Sequence, residues 1–195
     1  MSTIAIPQPR RVLADFVPSS IVSNAALIVG GAMFVGLLAQ ISIPLSFTPV
    51  PVTGQTLGVL LVGPALGGRR AMATLVLYVA AGLAGGPWFA HGASGYPSAT
   101  FGYLLGFVLA SYVLGLAAQR GVDRSILRSI PAMLLAEVVV FAFGVTWLKF
   151  ALDASVSQAI AWGLTPFLLG EVMKAVVAGL TLPVAWRIAD RVPQQ

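Results

Sequence analysis

Long apolar runs alternate along the chain with short stretches of glycine, proline and arginine, and few polar residues fall inside the runs. Four runs, residues 20–43, 101–119, 130–150 and 165–189, reach the roughly 20 residues that a bilayer-spanning helix needs. Two more, 54–66 and 71–85, are shorter and are separated by Gly67-Gly68-Arg69-Arg70. They read either as one re-entrant hairpin or as two short crossings. Residues 1–19, with Arg10-Arg11, read as a polar tail, and the run that follows is too long for the apolar core of a signal peptide. It is expected to be a retained first helix.

The arginines choose between hairpin and crossings. With two crossings the chain has six helices, and Arg10, Arg11, Arg69, Arg70, Arg120, Arg124, Arg128, Arg187 and Arg191 share one side. The other side holds residues 43–54, 86–100 and 151–164, with only Lys149 at its edge. Cytoplasmic loops collect Lys and Arg, so both termini are expected inside. A hairpin would leave two arginines in hydrocarbon or on the wrong side. The sequence therefore predicts an all-α membrane protein, one domain over 1–195, spanning the cell membrane six times with a pocket open to the outer side.

Composition agrees. Charged residues make up 9% of the chain and hydrophobic ones 58%, and the mean hydropathy is +0.94; a soluble chain carries roughly a quarter charged residues. The net charge of +5 follows from topology, because nucleic-acid binding needs basic residues clustered on one soluble face. No cysteine and a single histidine leave no basis for a thiolate or His-rich metal site, and no cofactor is expected. Nucleophile–base, zinc-protease and phosphate-loop patterns are missing, so no enzyme activity is expected and no catalytic residue is assigned.

The chemistry sits in the last run. A charge at membrane depth is expensive and normally faces a pathway, a site or a partner charge. Glu171 and Lys174 are three apart and share a helix face, and with Thr165-Pro166 as the start of that helix they lie roughly 8 and 12 Å below its outer end. They read either as a pair that only fixes packing or as the polar floor of an outward pocket. Glu137 is placed about 9 Å from the inner end of the fifth helix, away from Glu171. Pairing with a cytoplasmic arginine, contact with a partner subunit and a proton relay stay open for it.

Two outer loops suit a pocket wall. Residues 43–54 hold three prolines and are expected to be extended. Residues 86–100 mix small residues with aromatics, and Trp88, Phe89, Tyr103 and Trp147 read as wall candidates or interfacial anchors. His91 reads as a solvated loop residue. In the first helix Ala26-x-x-x-Gly30 and Ala32-x-x-x-Gly36 permit close helix approach, within the chain or against a partner.

Residues 43–63, Gly-Pro-Trp-Phe-Ala-His-Gly-Ala-Ser-Gly (86–95), Thr-Phe-Gly-Tyr-Leu-Leu-Gly-Phe (100–107) and Pro-Phe-Leu-Leu-Gly-Glu-Val-Met-Lys-Ala (166–175) resemble the BioY family, the biotin-specific substrate-binding subunits of energy-coupling-factor transporters. The resemblance implies six helices, biotin as the ligand in a pocket capped by the first outer loop, and partners in a transmembrane coupling subunit and cytoplasmic ATPase subunits. It matches Glu171, commonly Asp in the family, and Lys174 to the acidic residue and lysine of the last helix, and Gln55 and Tyr103 to pocket-side positions. The small-residue face of the first helix would be the coupling contact. Ala136-Glu137 stands where the family often has Gly-Asn, and Ala99 where many members have Pro. Other readings are a related scaffold for another small vitamin and a non-transporting assembly protein.

Overall fold

A computed structural model of the chain describes residues 10–191. Among them seven α-helices follow in order: α1 Ile21–Gln40, α2 Gln55–Leu66, α3 Gly68–Leu83, α4 Phe101–Ala118, α5 Ile126–Ala151, α6 Val156–Gly163 and α7 Leu168–Ala189. Strands β1 Ser42–Ile43 and β2 Val52–Thr53 pair antiparallel between α1 and α2, with Ser42 opposite Thr53. The tail read over 1–19 lies outside the described residues at positions 1–9, and a single 3-10 turn, Leu13–Phe16, follows.

Helices α1, α4, α5 and α7 are long and apolar enough to cross a membrane. Leu37, Leu127, Leu135 and Leu169 stand exposed on the outside of the bundle. Such a surface fits hydrocarbon, where a helix satisfies its backbone hydrogen bonds internally. The short α2 is the opposite case, almost wholly buried, and it packs against α1, α3, α4 and α7. Because α2 occupies the centre, its first turn is available to line an interior site.

Sharp turns set the helix order. Gly67 alone joins α2 to α3 at φ 80°, a backbone region that costs glycine little. At Gly115, α4 runs so close to the backbone of Gly67 and Gly68 that a Cβ would collide with main chain. Buried Val12 packs against the same turn, and Arg10 N–H donates to Gln119 O at 2.8 Å. Every arginine gathers at this end. At the other end α2, α4 and α7 begin, α1, α3 and α5 finish, and the two-stranded hairpin and residues 84–100 lie over them.

Several boundaries differ from the sequence reading. The α3 helix starts at Gly68, so Arg69 and Arg70 occupy its first turn, where Arg70 bonds Asp15 at 2.7 Å and Asn24 at 2.8 Å. Residues 151–164 contain α6, because Ser155 and Gln158 cap its start reciprocally, Gln158 N–H donating to Ser155 Oγ at 3.2 Å and Ser155 N–H to Gln158 Oε1 at 3.0 Å. Thr165 does not cap the last helix. Its hydroxyl donates back to Ile160 O at 3.2 Å, and α7 begins only at Leu168.

Candidate ligand-binding site

The hairpin loop, the 84–100 segment and the first turns of α2, α4 and α7 enclose a cavity of about 290 Å³. Pro44, Leu45, Thr48, Pro49, Val50 and Pro51 roof it, the extended strands on either side keeping the proline-bearing loop over the helix ends. Phe89, Ala90, His91 and Ala93 form one wall. Tyr103, Leu104 and Phe107 of α4, Val140 and Phe141 of α5, and Phe167 beside α7 form the rest. Gln55, Thr56 and Glu171 supply polar groups.

Glu171 lies in the first turn of α7, only about 5 Å along the axis from Leu168. A carboxylate is favoured there by the helix dipole. Lys174 stands one turn deeper and does not line the cavity. Its ammonium donates to Glu171 Oε1 at 2.6 Å, to the Thr53 carbonyl at 2.6 Å and to Thr56 Oγ1 at 2.9 Å. A lysine has three N–H donors, and all three are engaged. The amine therefore fixes the Glu171 carboxylate and ties α7 to the junction between β2 and α2.

Glu137 is placed differently from the sequence reading. Because α5 starts at Ile126, Glu137 lies about 17 Å along it, near the middle rather than toward the inner end. Glu137 borders one groove between α5 and α7 together with Glu171, and the two carboxyl groups interact directly. The two acids sit at one level, which spacing along separate helices did not reveal.

Gln55 bridges outward from the polar corner. Its Oε1 accepts from Thr53 Oγ1 at 3.0 Å and its Nε2 donates to the Tyr78 hydroxyl at 2.6 Å; that hydroxyl in turn donates to Trp88 O at 3.0 Å. Phe89 is held by the same segment. Its ring stacks edge-on to Tyr78, centroids 5.6 Å apart, and covers Gly82 so closely that a Cβ there would strike it. Tyr103 donates its hydroxyl to Gly163 O at 2.6 Å, and its ring lies against Gly144. Trp147 is not at the cavity: its indole N–H donates to Ser98 O at 2.8 Å and its ring meets Phe101, backing the wall from outside. His91 reaches the cavity rim and shares a 3.1 Å hydrogen bond with Ser42 Oγ.

Sequence reasoning passed over Thr48, Thr53, Thr56, Phe141 and Phe167. Phe167 and Glu171 are four apart, as are Glu137 and Phe141, a spacing that places each pair on one helix face and was legible. Nothing in the sequence marked Thr48, whose hydroxyl donates to Trp162 O at 2.7 Å and joins the roof to α6. On α1 the two small-residue pairs separate. Ala32 and Gly36 are buried within the chain, Gly36 against Trp88, whereas Ala26 and Gly30 are exposed.

Comparison with known proteins places this arrangement among relatives. The BioY family matches over residues 10–191. The biotin transporter BioY of Rhizobium etli is 38% identical over 169 residues, covering 80% of this chain and 85% of its own. The biotin transporter BioY2 of Lactococcus lactis subsp. cremoris is 35% identical over 157 residues, covering 79% and 85%. The crystal structure of the S-component for biotin from an ECF-type ABC transporter superposes with a TM-score of 0.77 at 20% identity, over 90% of this chain and 96% of that one. That likeness establishes a shared fold.

Proposed function

The chain belongs to the BioY family, and from that premise we propose that it is the biotin-binding membrane subunit of an energy-coupled vitamin transporter. The observation that carries this reading is a small, mostly apolar cavity with one fixed carboxylate at its polar corner. Its volume lies at the small end of the roughly 300–1,000 Å³ common for small-molecule sites. Biotin presents a fused apolar ring pair and a ureido group with two N–H donors and one acceptor. The ring pair would lie among Phe89, Tyr103, Phe107 and Phe141, and one ureido N–H would donate to Glu171. Gln55 and Thr56 border the same corner. Lys174 serves by holding and aiming Glu171, and Trp147 by bracing the wall behind Phe101.

We assign all six helices α1 to α5 and α7 as crossings, α2 and α3 being the shortest of them. The arginine end faces the cytoplasm of the cell membrane, by the bias of Lys and Arg toward that side. The cavity then opens outward, where a dilute vitamin is captured. A coupling subunit and ATPase subunits are the expected partners, and Ala26 and Gly30 are the small residues of α1 still free to meet one. Equilibrium binding of labelled biotin to the purified protein tests the reading. Saturation at micromolar or lower ligand supports it, and displacement by another vitamin but not by biotin would overturn the ligand assignment.

A further inference from the structure

The hydrogen bonds of the polar corner do not close. Glu137 is buried, and neither of its oxygens, nor Glu171 Oε2, meets a donor among the described residues. Yet the Glu137 and Glu171 carboxyl groups border one groove between α5 and α7 and lie close enough to interact directly. Two ionised carboxylates only accept, so this contact would be repulsive, and in a low-dielectric interior the repulsion is large. The single ammonium nearby balances one negative charge and has no N–H left to give.

No other group facing Glu137 supplies the missing donor. From α7 come Glu171 and Lys174. From α4 comes Tyr103, whose proton is used on Gly163 O. The α2 and α6 helices contribute no ionisable residue. The 3-10 turn that packs near the start of α5 carries Asp123 and Arg124, both engaged with Trp186. On α5 itself Arg128 and Lys149 stand roughly 14 and 18 Å away along the axis.

We propose that Glu137 carries a proton and donates it in a hydrogen bond to Glu171 Oε2, so that the two acids and Lys174 form one electrically neutral unit. Glu137 does not line the cavity and Glu171 does. Glu137 is therefore a positioning residue, holding one side of the Glu171 carboxylate while Lys174 holds the other. The unit offers a ligand an acceptor without net charge, which favours neutral N–H donors of the urea type over cations. This extension rests on the proposed function for its probe, biotin, but the proton itself does not.

Two measurements on the full-length protein in detergent separate these dependences. The first is the infrared carbonyl band of a protonated carboxylic acid, recorded without ligand at neutral pH. It is expected in the native protein and reduced in Glu137→Gln; identical bands would overturn the proposal whatever the ligand. The second is biotin affinity from neutral to alkaline pH. Native affinity should fall by about tenfold as the shared proton is removed, the size of one charge-assisted hydrogen bond. Glu137→Gln, whose amide N–H donates to the same oxygen without titrating, should hold its affinity across that range. Glu137→Ala should bind more weakly at every pH. An alkaline profile shared by native and Gln variant, or native affinity in the Ala variant, would defeat the positioning role. Failure of biotin to bind the native protein would reject the proposed function and leave the infrared result to decide the proton.

Discussion

The Lys174 ammonium donates to the backbone carbonyl of Thr53 at 2.6 Å, linking the second turn of the last helix to the residue that ends the hairpin roof. One side chain thus joins lid, floor and wall. Replacing it with Met keeps the stem and removes the charge, leaving Glu171, Thr53 O and Thr56 without their donor. Breaking a buried pair on one side is worth about 3–5 kcal/mol. Lys174→Met should bind biotin at least about tenfold more weakly, by equilibrium binding, and unfold at lower temperature. Native affinity would show that Glu171 needs no counter-charge.

Gly82 lies under the Phe89 ring with no room for a methyl group. Gly82→Ala should push the ring off Tyr78 and into the cavity or away from it, costing ligand affinity by an order of magnitude while the bundle survives. Phe89→Ala in the same background is the check, since it removes the collision. Melting curves of both variants would show whether the second change relieves the collision, and calorimetric titration of Gly82→Ala reads the affinity; affinity left intact there would mean that Phe89 yields freely.

The roof meets α6 through Thr48, whose hydroxyl donates to Trp162 O. Thr48→Val retains shape and deletes that bond together with the one its Oγ1 accepts from Val50 N–H at 3.2 Å, each worth about 1 kcal/mol net. The expected result is faster release of labelled biotin, by about fivefold, with the association rate changed less. Equal release rates would assign closure to other contacts.

Asp123 lies beyond the spanning segments, buried, with Oδ2 accepting from Trp186 Nε1 at 2.6 Å. Burial raises its carboxyl above the ordinary carboxylate value, outweighing the Trp186 bond and the charge of Arg124. A folded pKa above the unfolded one means the native state holds the proton more tightly. That stabilisation is complete below about pH 4, the unfolded value, and is lost as pH rises through the folded one. Native protein should lose thermal stability over that rise, and Asp123→Asn should not. At neutral pH the variant should melt at or above the native temperature. Melting curves across the range decide it, and parallel slopes would remove Asp123 as the cause.

The Glu171–Lys174 pair was legible because spacing along one helix is fixed by geometry. The Glu137–Glu171 contact was not, because it depends on where two helices begin and how they cross, and both starts were misplaced by three or four residues. The reciprocal cap Ser155/Gln158 was present in the sequence and would have revealed α6. Long apolar runs announced the four long helices, whereas the meeting of Gly115 with Gly67 and Gly68 needed three dimensions. Trp147 and Lys174 illustrate a further limit. Sequence depth placed both at the pocket, whereas packing sets each behind it, Lys174 against Glu171 and Trp147 against Phe101.

Val12, Asp15 and Phe16 fill the base of the bundle, against Gly67, Arg70 and Trp186 respectively. The amino-terminal segment is thus a stopper rather than an appendage. Trimming the protein past residue 16 would uncork the arginine end and take from Arg70 its carboxylate partner.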